Sequence, residues 1–230
     1  MRRRDFTLSA IAMAGCQTVT PINTPIAGTM VRNDGGIYAP TRVTDVSRTD
    51  LAGTVIYDEI IPFSLGSFTP ANPATGQPHN GGTVTGGFQS RVTRSTNRGT
   101  LIFSYRFRDL VFQPGATGNP QKGSSASFIE LVTLSGFDAG FFPMEAFNID
   151  PSQSLGAEVW GAIGTAHTNG SLEFNSYYTE PEGTTFFELL TKATKYKTGK
   201  YLHVSHTAQD LAGNNVLSAT GLDRIAVPTI

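Results

Sequence analysis

Between Thr83 and Phe107 apolar side chains recur at alternate positions, and this rhythm restricts the chain to sheet more firmly than any other feature. Leu101, Phe103, Tyr105 and Phe107 alternate with Ile102, Ser104 and Arg106. In the preceding run, TVTGGFQSRVTRS, Val84, Phe88 and Val92 share one face, with Gln89, Arg91 and Thr93 on the other. A helix would scatter that pattern around its circumference, whereas a strand sends successive side chains to opposite faces. Asn97-Arg98-Gly99 separates the two runs and predicts a hairpin turn with Gly99 at positive φ.

Further strands are predicted at 53–63, closed by Pro62, and at 128–134, followed by Ser135-Gly136 and the aromatics Phe137, Phe141 and Phe142. Others fall at 157–163, 171–178, 186–196, 200–207 and 222–227, with hairpin tips at 168–170 and 198–199. Residues 114–127 read as a Gly/Pro/Ser loop. Only 185–195 lets a helix compete, because Phe187, Leu190 and Thr194 have helical spacing; its neighbours favour a strand. About ten short strands with frequent turns predict an all-β fold, an antiparallel β-sandwich of jelly-roll type, over 43–230. We find no internal repeat.

Charged residues make up 15% of the chain, against roughly 25% in an average soluble protein, and Gly, Ser, Thr and Asn fill the difference. That bias suits an exported β protein, with glycine and asparagine in turns and hydroxyl side chains on strand surfaces. Seventeen basic residues face eighteen acidic ones, and Arg2, Arg3 and Arg4 lie at the extreme N-terminus. The rest is mildly acidic and lacks a basic stripe, so nucleic acid is not an expected partner. The single cysteine, Cys16, excludes a disulfide framework and a cysteine-based metal site.

Residues 1–16 read MRRRDFTLSAIAMAGC: a cationic start, then an apolar run too short for a permanent membrane helix. Met13-Ala14-Gly15-Cys16 resembles the lipobox of bacterial lipoproteins. The resemblance implies cleavage before Cys16 and acylation of its thiol, with small residues giving the peptidase access to the backbone. Arg3-Arg4-Asp5-Phe6 resembles the core of a twin-arginine signal, two arginines, any residue, then Phe; Arg2 and Thr7 depart from that pattern, and the ordinary secretory route is the alternative. A bacterial lipoprotein carries two or three lipid chains, so the membrane attachment would be firm. Residues 17–42, rich in Pro and Thr, read as a flexible tether, with late pairing as an edge strand as the alternative.

From Gly53 onward the chain also resembles a group of exported bacterial surface proteins with no established activity. The matching features are Pro62-Phe63, QSRVTR at 89–94, Gly99 to Arg106, Ser135-Gly136-Phe137, and Phe186-Phe187 before Thr191 to Ala193. The chain departs from that group in lacking a Pro-Glu-Pro, apolar span and basic tail before Ile230, which leaves anchoring to Cys16.

Candidate chemistry is sparse. His203 and His206 are three apart, on opposite faces of a strand unless a bulge intervenes, and His79 and His167 stand alone. No Gly-x-Ser-x-Gly elbow is present, and Ser135 and Ser205 are poor nucleophile candidates. Glu130, Glu158 and Glu173 are the carboxylates that could supply glycoside hydrolysis, which needs two across a cleft. Trp160, Tyr177 and Tyr178 could form a carbohydrate-stacking surface, although the small neighbours of Trp160 favour a core position. Asp45, Asp50, Asp210 and Asn214 offer oxygen ligands without the spacing of a calcium loop. No cofactor and no metal is expected. The sequence therefore points to an exported, lipid-anchored envelope or cell-surface protein. Its partners would be the membrane and a carbohydrate or envelope component, with a binding or structural β-sandwich of unknown ligand. The alternative is a secreted hydrolase acting on a polysaccharide.

Overall fold

The computed structural model describes residues 27–32, 34, 41–44, 49–66, 83–113, 127–141, 144–150, 164–168, 170–178, 186–209 and 215–230. Within these, the larger sheet runs β1 (Thr29–Val31), β7 (Met144–Asp150), β10 (Phe186–Leu190), β5 (Leu101–Gln113), β4 (Thr83–Ser95) and β3 (Gly53–Gly66). β2 (Thr41–Thr44) pairs in parallel with Phe147 to Asp150, while β1 pairs antiparallel with Met144 to Ala146, so both lie along one edge of β7. Val31 and Val43 from these short strands are buried. The smaller sheet is β13 (Asn215–Leu222), β12 (Leu202–Gln209), β6 (Ser127–Ser135), β9 (Ser171–Tyr178) and β8 (Gly164–Thr168). A ribbon of β11 (Lys195–Gly199) and β14 (Ile225–Thr229) completes the fold. The sheets face each other as an all-β sandwich, with β3 beside β13 and β1 beside β8.

Hairpin chemistry builds the spine. β3, β4 and β5 contain 14, 13 and 13 residues, enough for strands of roughly 45 Å. Gly99 closes the β4–β5 hairpin at φ +67°, as its sequence predicts, and the Gly99 amide donates to the Ser95 carbonyl at 2.9 Å. Gly170, at φ +77°, does the same service between β8 and β9.

The inner face of this spine is aromatic. Phe88 packs edge-on to Phe107 at 5.0 Å and stacks with Tyr105 at 6.0 Å, while Phe63 meets Phe107 at 5.7 Å. Val132, Leu134, Leu172, Leu202 and Val204 of the smaller sheet join the same core. β14 lies against β4 and β5: Tyr105 donates its hydroxyl to the Ala226 carbonyl at 2.6 Å, and the Ala226 amide donates to Ser90 Oγ at 3.0 Å. Both groups are buried, so these bonds replace water for the inner edge of the ribbon.

The structure divides two predicted strands and adds one that the sequence did not mark. The single strand predicted at 186–196 is two, β10 and β11, in different sheets. Thr191 is the cause: its hydroxyl donates to the Leu101 carbonyl at 2.9 Å and accepts from the Ala193 amide at 3.2 Å, which turns the chain out of the ladder. The predicted 222–227 strand is likewise divided at Asp223-Arg224, where Arg224 adopts φ +62° and its amide donates to Asp223 Oδ1 at 2.8 Å. β7 lacks a sequence signal because both of its faces are buried. Met144 and Ala146 join the main core, and Phe147 and Ile149 join a second cluster with Val43, Ile102 and Leu190. A strand covered on both sides loses the polar alternation that marks a half-buried one.

Candidate functional site: a cationic outer face

The outer face of the larger sheet carries the most organised polar chemistry among the described residues. Phe88, Val92, Tyr105, Phe107, Phe187 and Leu189 point into the core. Their strand neighbours Gln89, Arg91, Ser104, Arg106, Phe186 and Glu188 therefore stand together on the opposite side. Register aligns them, with Gln89 opposite Arg106, Arg91 opposite Ser104 and Asp58, and Glu188 opposite Ser104.

Hydrogen bonds join these groups across three strands. Arg91 donates from Nε and Nη2 to Asp58 Oδ2 at 3.1 and 2.7 Å, and Gln89 Nε2 donates to Asp58 Oδ1 at 2.6 Å. Gln89 Oε1 in turn accepts from Arg106 Nε at 2.6 Å. Phe186, delivered by β10, lies under both guanidinium groups, with Arg106 4.3 Å and Arg91 4.7 Å from its ring centre. The ring's negative face attracts cations, so one phenyl group holds two arginines in place. Beyond them, Ser104 Oγ donates to Glu188 Oε1 at 2.9 Å.

Arg108 extends the row. It stands opposite Gly87, just before a bulge in which Asp109 and Leu110 oppose Gly86 alone. Asp109 takes φ +52°, a left-handed conformation that aspartate tolerates better than most residues. The extra residue returns Leu110 to the core and leaves Val111 facing outward.

The electrostatics follow from this crowding. Burial depresses the Arg106 guanidinium below its ordinary range, and the charges of Arg108 and Arg91 depress it further, against smaller opposing effects from Asp58 and Asp109. Burial raises the Asp58 carboxyl, but hydrogen bonds from Arg91 and Gln89 and the nearby arginine charges outweigh it and hold the pKa below 3.8. Asp58 is ion-paired with Arg91, whereas Arg106 and Arg108 have no ion pair among the described residues.

Cys16, Arg3, Arg4, Phe6, Met13, Ala14, Gly15, Glu158 and Trp160 lie outside the described residues, as do His79, Asp45, Asp210 and Asn214. Tyr177 and Tyr178 end β9, and Glu130 falls at a register shift of β6 against both β9 and β12. Glu173 stands opposite Thr133 and Ala166, and Thr133 stands opposite His203, giving a polar row on the outside of the smaller sheet. β12 pairs with β13 without a register shift, so the bulge that could bring His203 and His206 to one side is in β6 instead. Ser135 donates its hydroxyl to the Tyr201 carbonyl at 3.3 Å. Asp50 accepts from Arg98 at 3.0 Å, an ion pair that ties the β4–β5 hairpin to residues 49–51. Among the described residues no three His, Cys, Asp or Glu side chains gather around a cation position.

Sequence reasoning separated Arg91 and Arg106 from the core positions but assigned them no role. The hairpin at 97–99 carries the missing signal, because counting outward from it places Gln89 against Arg106. Phe186 has no such signal, since its place under the arginines depends on a distant strand inserting beside β5. Comparison with protein-family models, curated proteins and solved structures returned no match.

Proposed function

We propose that the chain is an exported, lipid-anchored envelope or cell-surface protein whose β-sandwich acts by binding. The observation that carries the export reading is in the sequence: the one cysteine, Cys16, follows Ala14-Gly15 at the end of a cationic and then apolar leader. The binding reading draws support from the outer face of the larger sheet, where arginines are oriented by an aromatic ring and a glutamine and remain open to solvent on one side. Hydrolysis of a polysaccharide, the alternative, would need two carboxylates to converge across a cleft, with Glu130, Glu158 and Glu173 as the candidates.

The test is metabolic labelling of bacterial cells expressing the full chain with a tagged fatty acid, followed by mass spectrometry of the N-terminal peptide. We expect label on Cys16, partition of the protein into detergent, and loss of both in Cys16→Ser. An unmodified thiol with Met1 retained would overturn the reading.

A further inference from the structure

We propose that the outward side of β3, β4 and β5 is the ligand site, and that it takes a carboxylated polysaccharide whose carboxylates seat on Arg106 and Arg108. This rests on the binding reading above and gives it a ligand class and a location.

The first ground is incomplete neutralisation. Arg91 and Arg108 both lie close enough to depress Arg106, yet of the three only Arg91 is ion-paired among the described residues. Gathering like charges costs free energy unless a counter-charge is supplied, and with Asp58 taken up by Arg91 the carboxylate of Asp109 offsets the pair Arg106 and Arg108 only in part. The second ground is orientation. Gln89 holds Arg106 by Nε alone and Phe186 holds the plane of the group, so the terminal amino groups remain available to donate. A planar guanidinium with two parallel N–H groups matches a carboxylate in a bidentate pair.

The third ground selects a sugar polymer. Ile60 and Val111, 45% and 46% exposed, flank the arginines on the same side of the sheet. Ile60 leans across Gly87, where an added Cβ would come within 2.7 Å of its Cγ2. Arg108 stands opposite that same glycine, so apolar and cationic groups lie side by side. Uronic-acid polymers present both a carboxylate and an apolar ring face in each sugar, and three adjacent strands of 14, 13 and 13 residues offer an extended track for them. A sulfated polymer offers the ring face without a planar carboxylate for the bidentate pair, and a nucleic acid offers phosphates without the pyranose face.

Affinity electrophoresis of the full chain in gels containing polygalacturonate, neutral dextran, dextran sulfate or single-stranded DNA tests this. We expect retardation by polygalacturonate above that in every other gel. Arg106→Gln combined with Arg108→Gln should weaken it about tenfold or more, the scale of one lost charge-assisted hydrogen-bond pair. Asp58→Asn should strengthen it by removing the local negative charge, a gain that a purely structural role would not produce. Lys192→Gln, an exposed charge elsewhere, should leave it unchanged. If the double variant fails to fold by thermal melting, Arg108→Gln alone carries the test. Equal retardation by dextran sulfate or DNA, no retardation by polygalacturonate, or undiminished binding in the arginine variants would overturn the proposal. Labelling of Cys16 is read separately, so an acylated protein without glycan binding rejects this inference and leaves the export reading standing.

Discussion

The two faces of β4 and β5 are built from alternate residues of the same segments, yet they hold the molecule together by different physics. Inward, Phe88, Tyr105 and Phe107 form a close-packed aromatic cluster sealed by β14. Outward, Gln89, Arg91 and Arg106 are linked by directed hydrogen bonds to Asp58 and rest on the single ring of Phe186. Apolar burial is non-directional and grows with area, so the inner face supplies stability. Exposed ion pairs contribute little to stability, about 0–1 kcal/mol, so the outer network is better understood as an arrangement of charge than as a brace.

The largest expected effect tests the inner face. Phe88→Ala should destabilise the protein by about 3–5 kcal/mol in denaturant unfolding, because two ring contacts and the area of a full phenyl are lost. A loss no greater than that of an outer-face substitution would break the comparison.

Tyr105→Phe comes next, since it leaves the buried Ala226 carbonyl without its donor, and should cost about 1–3 kcal/mol. Burial pushes the Tyr105 hydroxyl well above its ordinary 10.0, and burial together with the hydrogen bond to Glu59 raises Tyr57. The unfolded chain therefore releases these protons first as pH rises. The tyrosines' contribution to stability should be level below about pH 9 and decline beyond about pH 10, with a shallower decline in Tyr105→Phe and Tyr57→Phe.

On the outer face, Asp58→Asn should change stability by less than about 1 kcal/mol at neutral pH. Because the folded carboxyl titrates below 3.8, its contribution is present above that value and is lost as pH falls through the lower folded pKa. The variant should show a correspondingly weaker acid dependence in urea melts between about pH 4 and pH 2. A neutral-pH cost as large as that of Phe88→Ala would mean that the outer network is a brace after all.

Thr100→Val should be the smallest change, near neutral or slightly stabilising in thermal melts. The Thr100 hydroxyl oxygen is buried without a hydrogen-bond partner, and an isosteric methyl removes that desolvated group.

Much of the spine was legible because local rules act there. β4 runs over 83–95 as predicted, and Gly99 takes the backbone conformation its hairpin requires. Val84, Phe88 and Val92 are all buried. Legibility fails where a distant partner decides the outcome. Thr191 ends β10 because its hydroxyl meets Leu101, and nothing in the segment around residue 191 announces that encounter. The candidate site is half legible for the same reason: the β4–β5 hairpin predicts which side Arg91 and Arg106 share, but the ring beneath them arrives on β10.

From the amino-acid order alone came the all-β class, the inward and outward sides of the central strands, and the position of the single cysteine in a leader-like segment. These depend on side-chain alternation, turn stereochemistry and composition, which act between residues near in the chain. The tertiary structure decided which strands become neighbours, which strand lies buried on both faces, and where three arginines gather with one ion-paired aspartate. Those outcomes depend on long-range packing, in which the free energy of burying one strand is set by surfaces that only the assembled sandwich provides.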